Sequence, residues 1–263
     1  MYHVSIAMGL YNVRWDLAKD FEGTLKQVAE MGYNGVEFAQ NFGGRSAAEI
    51  RGLCEKYGLI PFAAHIPVEH ILEDESWLSF YKELGIEFAV IPYFPEEYSY
   101  RSKNWPEVAR RLNEAQKVWA ENGMTMCFHN HDGEFLQENG KFYMDKVLED
   151  LPAFQPEFDT GWVQIAGQDP VAYMEKYKDR VQIIQFKDYV GSKKIEEHAR
   201  EVAGFCFTDV GSGKLDCPRI MKAAKAQGVR WVTVEQDWSP EGKTDLECQK
   251  LSCEYLRKLI QEV

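Results

Sequence analysis

The chain has 263 residues, of which 45% are hydrophobic and 27% charged, and its formal net charge is −12. These proportions are typical of a globular protein and predict no disordered tract. The negative charge opposes binding to nucleic acid, because contact with a phosphate backbone requires lysine and arginine. We therefore expect a single domain over residues 1–263 and no nucleic-acid partner.

The six cysteines form no CxxC pair and have no regular spacing. In a chain of this length they are expected to be reduced thiols and not disulfide staples. The N-terminal segment lacks the basic start and the apolar run of a signal peptide. No stretch approaches the roughly 18 apolar residues of a membrane span. We predict a cytoplasmic protein with no membrane partner; whether it forms a homo-oligomer stays open.

Short apolar runs alternate with amphipathic stretches through eight cycles, which predicts an α/β fold, the (β/α)8 TIM barrel. Most of the runs lack clean alternation of polar and apolar residues, as expected of parallel strands that are buried on both faces. The predicted strands are residues 3–9, 35–39, 60–66, 88–94, 125–131, 156–162, 181–188 and 232–238.

Helical patterns fill the segments between these strands. They predict helices at residues 21–31, 46–57, 69–84, 106–122, 143–150, 170–177, 218–227 and 245–261. A left-handed residue is favoured where a helix turns into a strand, and glycine stands at five such places, namely Gly32, Gly58, Gly85, Gly123 and Gly228. Asp169 and Asp216, each shortly before a proline, predict helix N-caps. Residues 190–214 form the longest irregular segment, and a long loop at a barrel mouth is more often functional.

Polar groups cluster at the carboxyl ends of the predicted strands. Side chains alternate between the two faces of a strand, so one parity of each strand points into the barrel and its mouth. Taking the parity that turns bulky apolar residues outward, the strand ends contribute Glu37, His65, His129, His131, Asp159, Gln185, Lys187, Glu235 and Asp237. Active sites of TIM barrels lie at this end.

Taken singly, several of these residues also have a structural explanation. Glu37 could be a solvated rim carboxylate, and His65 a hydrogen-bonded core histidine. Asp159 could be the N-cap of the segment that follows it. Lys187 could be a rim lysine that pairs with Asp188.

Two strand ends are harder to explain without a ligand. Glu235 lies in an apolar run, and residues 128–135, FHNHDGEF, place two histidines and two acids at one strand end. Such groups are costly to bury unless they are paired or bind a metal. One divalent metal ion at the mouth accounts for both. Oxygen-rich ligation favours Mn²⁺, with Mg²⁺, Co²⁺ or Zn²⁺ as alternatives, and the lack of cysteine at the strand ends argues against a thiolate site.

Successive motifs in the chain resemble those of a known family. GYNGVEFA, AAHIP, FHNHDGEF, FDTGWVQIAGQDP, RVQIIQFKDY, DVGSGKLD and VEQDWS resemble, in order, the sugar phosphate isomerase/epimerase family of xylose isomerase-like TIM barrels. The resemblance implies a metal held by strands five to eight, usually through Glu, Asp, His and Glu. Asp159 and Glu235 match this pattern, whereas Gln185 replaces the usual histidine. At strand five, either His129 takes the place of the usual glutamate or Glu134 reaches back to the metal.

The resemblance also implies roles for the other strand-end residues. His131 and Lys187 are expected to act on the substrate together with Glu235. Glu37 and His65 resemble substrate-binding positions of the family. Substrate binding is also expected of Asp237, from its place at a strand end, and of Trp162, whose flat ring can pack against a sugar. The only sign of a phosphate site is the short GSGK at residues 211–214, so we expect a non-phosphorylated sugar.

The expected activity is a divalent-metal-dependent sugar isomerase or epimerase acting on a small keto- or aldo-sugar through an enediol or enediolate. Epimerases of this kind typically use two carboxylates on opposite faces of the substrate, and only Glu235 is found here. The alternative is therefore a dehydratase or lyase that removes an α-proton from a 3-keto sugar or keto-glycoside and eliminates the β-substituent. A third hypothesis is a sugar-binding barrel without turnover. DNA repair is excluded, because six histidines and a charge of −12 suit neither a trinuclear zinc site nor DNA.

Overall fold

A computed structural model describes residues 4–39 and 41–263. Its eight main strands are β1 Ser5–Gly9, β2 Gly35–Ala39, β3 Ile60–His65, β4 Phe88–Ile91, β5 Thr125–His129, β6 Gln155–Asp159, β7 Ile183–Phe186 and β8 Trp231–Val234. These strands are parallel and close into a barrel in the order β1-β8-β7-β6-β5-β4-β3-β2. The predicted (β/α)8 barrel is confirmed. His3, the first residue of the predicted first strand, lies outside the described residues.

Helices cover the outside of the barrel. They are α1 Arg14–Lys19, α2 Phe21–Glu30, α3 Ala47–Tyr57, α4 Val68–Leu72, α5 Ser76–Leu84, α6 Trp105–Glu121, α7 Tyr143–Asp150, α8 Thr160–Ile165, α9 Pro170–Lys176, α10 Cys217–Gln227 and α11 Asp245–Glu262. The five glycines predicted to follow helices all have positive φ. Asp169 and Asp216 accept backbone N–H groups as N-caps of α9 and α10, as predicted.

Several of the predicted elements are wrong in part. The predicted strands 88–94, 125–131, 181–188 and 232–238 end earlier, at Ile91, His129, Phe186 and Val234. The predicted helix 69–84 is divided into α4 and α5, because the Asp74 carboxylate accepts the N–H of Ser76 and so competes with helical hydrogen bonding. The predicted strand 156–162 ends at Asp159. There the carboxylate accepts the N–H of Trp162 and caps α8, so Trp162 lies on a helix.

Apolar side chains fill the floor of the barrel beneath its mouth. Phe62 and Trp231 stack with ring centroids 4.3 Å apart, and they pack in one buried cluster with Phe88 and Ile183. Gly35 makes room for this packing, since a Cβ there would lie 2.9 Å from the Trp231 ring and 2.6 Å from a carbonyl oxygen. The closed floor leaves the polar ends of the strands as the accessible part of the interior.

A long loop, residues 187–216, connects β7 to α10. Residues Asp188–Val190 pair antiparallel with Cys206–Thr208, so two short strands close the first part of the predicted irregular segment 190–214. All six cysteines are unpaired. No described helix is long and apolar enough to cross a membrane.

Candidate active site

A cavity of about 410 Å³ opens at the carboxyl ends of the barrel strands. Its lining includes five residues that the sequence predicted for the site, and the full set is Tyr11, Ala39, His65, Pro92, Tyr93, His129, His131, Glu235 and Asp237. The barrel therefore brings residues from β3, β5 and β8, which are far apart in the chain, to one space of the size that small-molecule sites occupy.

The register of the strands places several donor groups side by side. His129 on β5 pairs with Glu157 on β6, and Asp159 on β6 pairs with Gln185 on β7. Donor atoms of His129, Asp159 and Glu235 all lie within 4.8 Å of one another, and all three residues are buried. This spacing fits a shared metal ion.

Five buried polar atoms at the strand ends make no hydrogen bond among the described residues. They are Oε1 of Glu37, Nδ1 of His129, Oε1 of Glu157, Oδ2 of Asp159 and Oε1 of Gln185. Two of them do have an ionisable neighbour, because Oδ2 of Asp159 lies 3.3 Å from Nζ of Lys187 and Nδ1 of His129 lies 3.4 Å from Oε2 of Glu157. Each unsatisfied buried polar group costs about 1–3 kcal/mol, so a cluster of them is unusual in a folded protein. Imidazole nitrogen with carboxylate and amide oxygens is a ligand set that divalent cations accept. The residues present therefore fit a metal ion.

The amide of Gln185 has a fixed orientation. Its Nε2 donates to Oε2 of Glu37 at 2.7 Å and to Oε2 of Glu157 at 3.2 Å. These contacts turn the NH2 group towards the two glutamates and leave the amide oxygen without a hydrogen-bond partner. Glu37 and Glu157 thus do for this amide what outer-shell carboxylates do for a metal-bound histidine.

Glu157 is a site residue that the sequence analysis missed. It is fully buried, and its Oε2 lies 3.1 Å from Nε2 of His65 and 3.4 Å from Nδ1 of His129. Burial raises the pKa of Glu157 to about 8. Burial, and then the charge of Glu157, raise the pKa of Glu37 well above its usual range. The sequence could have indicated Glu157 as a site residue, because it has the same strand parity as Asp159 and is a carboxylate between apolar residues.

Lys187 is fully buried among three carboxylates. Its Nζ lies 2.9 Å from Oδ1 of Asp237, 3.1 Å from Oε1 of Glu235 and 3.3 Å from Oδ2 of Asp159. Burial by itself would lower the pKa of Lys187, but Asp237, Glu235 and Asp159 outweigh it, and the pKa is raised well above its usual value. The side chain is therefore a permanent cation at neutral pH.

The carboxylates around Lys187 differ in the direction of their pKa shifts. Burial raises the pKa of Asp159 to about 7, with Glu235 adding to the effect and Lys187 opposing it. Burial also acts to raise the pKa of Glu235, but Lys187 and then His65 more than compensate, and the net shift is downward. Burial, and then the neighbouring His131, lower the pKa of His129 well below its usual value. Glu235 is thus an ionised carboxylate that faces the cavity, and His129 is a neutral imidazole.

Glu134 lies apart from these groups. Its Oε2 accepts the backbone N–H of His131 at 2.7 Å, and its Oε1 accepts the hydroxyl of Tyr100 at 2.6 Å. Both carboxylate oxygens therefore hold the segment after β5, which orients His131 towards the cavity.

Helix α8 packs closely against β7. A Cβ on Gly161 would lie 2.0 Å from the carbonyl oxygen of Lys187, so only glycine permits this approach. The next residue, Trp162, places its ring 5.1 Å from Nζ of Lys187 and 5.8 Å from the ring of His131. The GW pair after Asp159 thus forms a wall beside the cation.

Asp188 has no contact with the cavity and organises the following loop instead. Its carboxylate accepts the backbone N–H groups of Tyr189, Gly211, Gly213 and Leu215, each at 2.9 Å. Asp188 points away from Lys187, because adjacent side chains in an extended chain alternate in direction. The glycine N–H groups of the GSGK segment are therefore occupied by Asp188 and are not free to bind phosphate.

The comparisons with known proteins agree with this architecture. The family described as xylose isomerase-like TIM barrel matches residues 25–259, and the chain belongs to it. In fold, it is similar to a sugar phosphate isomerase/epimerase from Parabacteroides distasonis, with a TM-score of 0.77, 21% identity, and coverage of 97% of this chain and 94% of that one.

Relatives in sequence have a more specific name. The inosose dehydratase of Geobacillus kaustophilus is 24% identical over 91% of this chain and 87% of its own length. The inosose dehydratase of Mesomycoplasma hyopneumoniae is 27% identical over 91% of this chain and 89% of its own length. These relatives favour the dehydratase alternative over the isomerase or epimerase reading.

Proposed function

We propose that the protein is a metal-dependent dehydratase that eliminates water from a cyclic polyhydroxy ketone. Support comes from the relatives named inosose dehydratase, which match about nine-tenths of the chain. The single observation that carries the chemistry is that an ionised Glu235 and His131 line the same cavity. Buried nitrogen and oxygen atoms that make no hydrogen bond, and so could bind a metal ion, lie beside them. One ionised base and one separate imidazole suit an elimination, in which one group takes a proton and another protonates a departing oxygen.

The charge balance supports a bound cation. Five carboxylates surround the site, and of the described lysines Lys187 lies among them; the five are Glu37, Glu157, Asp159, Glu235 and Asp237. Burying such an excess of negative charge requires protons or a metal ion. We propose that His129, Asp159, Gln185 and Glu235 hold one ion, with Mn²⁺ preferred over Mg²⁺, Co²⁺ or Zn²⁺. Such an ion polarises a neighbouring ketone and makes its α-proton more acidic.

Glu235 is the proposed base. It lines the cavity, and Lys187 keeps it ionised at neutral pH, so it can accept the α-proton. His131 is the proposed acid for the departing hydroxyl, since it lines the same cavity and its backbone is fixed by Glu134. Lys187 is fully buried behind the carboxylates and serves as a positioning residue. His65 and Asp237 line the cavity and are proposed to bind substrate hydroxyls.

Isomerisation or epimerisation is the second candidate, and it shares the proton abstraction. A solved isomerase/epimerase has the same fold, but at 21% identity this likeness concerns the fold alone. Epimerases of this kind use a carboxylate on each face of the substrate. Asp237 also lines the cavity here, but it is paired with Lys187 at 2.9 Å, whereas His131 is a separate imidazole. We retain the cytoplasm as the proposed location, on the basis of six unpaired cysteines.

The test is solvent exchange with product analysis. The Mn²⁺-loaded protein is incubated in D₂O with an inosose and a panel of ketohexoses and 3-keto-glucosides, and deuterium uptake and products are followed by NMR. We expect exchange at the α-carbon together with loss of water. Exchange without loss of mass would support the isomerase or epimerase. No exchange by protein shown to hold metal would contradict both and favour a binding protein.

A further inference from the structure

A second cavity of about 360 Å³ adjoins the first at the barrel mouth. Tyr11 and Asp237 line both cavities, so the two spaces meet at these side chains. The first cavity alone, at about 410 Å³, is already within the range of small-molecule sites. A substrate with a single ring therefore does not need the second cavity.

The walls of the second cavity combine flat aromatic faces with polar groups. Trp162 and Trp238 line it, and the guanidinium of Arg200 lies 4.4 Å above the Trp238 ring. The buried indole N–H of Trp162 has no protein acceptor. Glu197 and His198 complete the rim, so both signs of charge are present and there is no cationic cluster for phosphate. Such walls suit a neutral ring that carries hydroxyl groups.

This cavity is held in shape by ion pairs and hydrogen bonds from the loop that forms it. Lys193 makes a buried ion pair with Asp132, and the same carboxylate accepts the N–H of Glu196 at 3.0 Å. Arg101 binds the Glu196 carboxylate at 2.7 Å. Glu196 has a φ of +64°, a left-handed conformation that persists in non-glycine residues only where surrounding contacts impose it.

The second cavity lies on the acid side of the proposed reaction. The ring of His131 is 5.8 Å from the ring of Trp162, and Trp162 lines the second cavity. The indole of Trp162 therefore stands between His131 and that cavity. Asp237, which lines both cavities, contacts Lys187 behind Glu235. A group that leaves the substrate with a proton from His131 would therefore emerge between Asp237 and Trp162.

We propose that the second cavity binds the second ring of a keto-glycoside, so that the elimination expels an alcohol, namely a sugar or other aglycone, in place of water. The inference rests on the proposed function. In a 3-keto-glycoside, Glu235 takes the proton on C2, C1=C2 forms, and the bond from C1 to the glycosidic oxygen breaks. The oxygen leaves with the bonding electrons and takes a proton from His131. The products are an enone and an alcohol, and no oxidant or reductant is consumed.

The test compares two substrates that expel unactivated alcohols, methyl 3-keto-glucoside and a 3-keto-disaccharide of glucose. For the Mn²⁺-loaded wild type we expect kcat/KM to be at least ~10-fold higher for the disaccharide, about the effect of one or two good aromatic contacts. Trp238→Ala should remove this preference and leave the methyl glycoside within about twofold. Trp15→Ala is the matched control, because Trp15 is exposed and lines neither cavity. Arg200→Ala provides a second, rim-only variant.

Equal kcat/KM for both substrates in the wild type would overturn the proposal, as would an equal loss for both in Trp238→Ala. A separate arm detects failure of the proposed function itself. Saturation-transfer NMR with the unoxidised disaccharide, which cannot react, reports contacts of the second ring. Saturation of that ring in the wild type and in Trp15→Ala, but not in Trp238→Ala, would support the cavity even if no substrate is eliminated. Absence of saturation on the second ring would refute it.

Discussion

Replacement of Lys187 by methionine tests whether a buried ammonium holds the three carboxylates of the site together. The substitution conserves most of the side-chain volume and removes the charge, leaving Asp159, Glu235 and Asp237 without their common partner. Breaking a buried ion pair by removal of one partner costs about 3–5 kcal/mol. For a chain of this size that corresponds to a decrease in Tm of roughly 6 to 20 °C.

Protonation limits the loss. The pKa of Asp159, raised by burial to about 7, lets this group take up a proton when Lys187 is absent, so we expect the lower half of that range. The pKa of Lys187 is raised in the folded protein by its carboxylate partners, although burial opposes them. Its stabilisation is therefore complete at neutral pH and is lost only as the pH rises into the strongly alkaline range.

Differential scanning calorimetry in EDTA at pH 7.5 and 5.5 provides the measurement. Lys187→Met should be destabilised at both pH values and less so at 5.5, where Asp159 is neutral. Lys56→Met is the matched control, since Lys56 makes a 2.7 Å ion pair with Glu22 on the exposed surface. It should show no measurable change in Tm. If Lys187→Met melts with the wild type in EDTA, the carboxylates are not held by this ammonium and the assignment is refuted.

Three further outcomes are expected. Purified wild type should carry about one divalent ion, and Asp159→Ala and Glu235→Ala should lose it; equal metal content in all three proteins by elemental analysis would contradict the site. Burial raises the pKa of Asp159 to about 7, so a metal ion must displace a proton from this group at lower pH. Metal affinity measured by calorimetry should therefore fall by about tenfold for each pH unit below 7 and be constant above it. An affinity independent of pH would show that no proton is displaced. Gly161→Ala should lose at least ~1–3 kcal/mol of stability, because its Cβ would lie 2.0 Å from the Lys187 carbonyl oxygen. Gly52→Ala, on a helix with no atom near its Cβ, should be neutral or slightly stabilising by urea unfolding, and similar results for the two variants would refute the packing argument.

The order and type of the main elements were predictable from local signals. Apolar runs mark all eight strands, and glycines with positive φ follow the helices as predicted. Strand parity was sufficient to select His65, His129, His131, Glu235 and Asp237, all of which line one cavity. Two of the errors were also local: Asp74 and Asp159 accept backbone N–H groups and so change the course of the chain where the hydrophobic pattern continues.

The sequence by itself determined which side chains point into the barrel, because that depends only on the two-residue period of each strand. Which of them meet depends on the stagger between strands, which closure of the barrel imposes across residues far apart in the chain. Only the tertiary structure placed Lys187 between Asp159 and Glu235, and turned the NH2 of Gln185 towards Glu37 and Glu157. The pKa values follow from the same packing, because burial and the proximity of charges are properties of the closed barrel and not of any one strand.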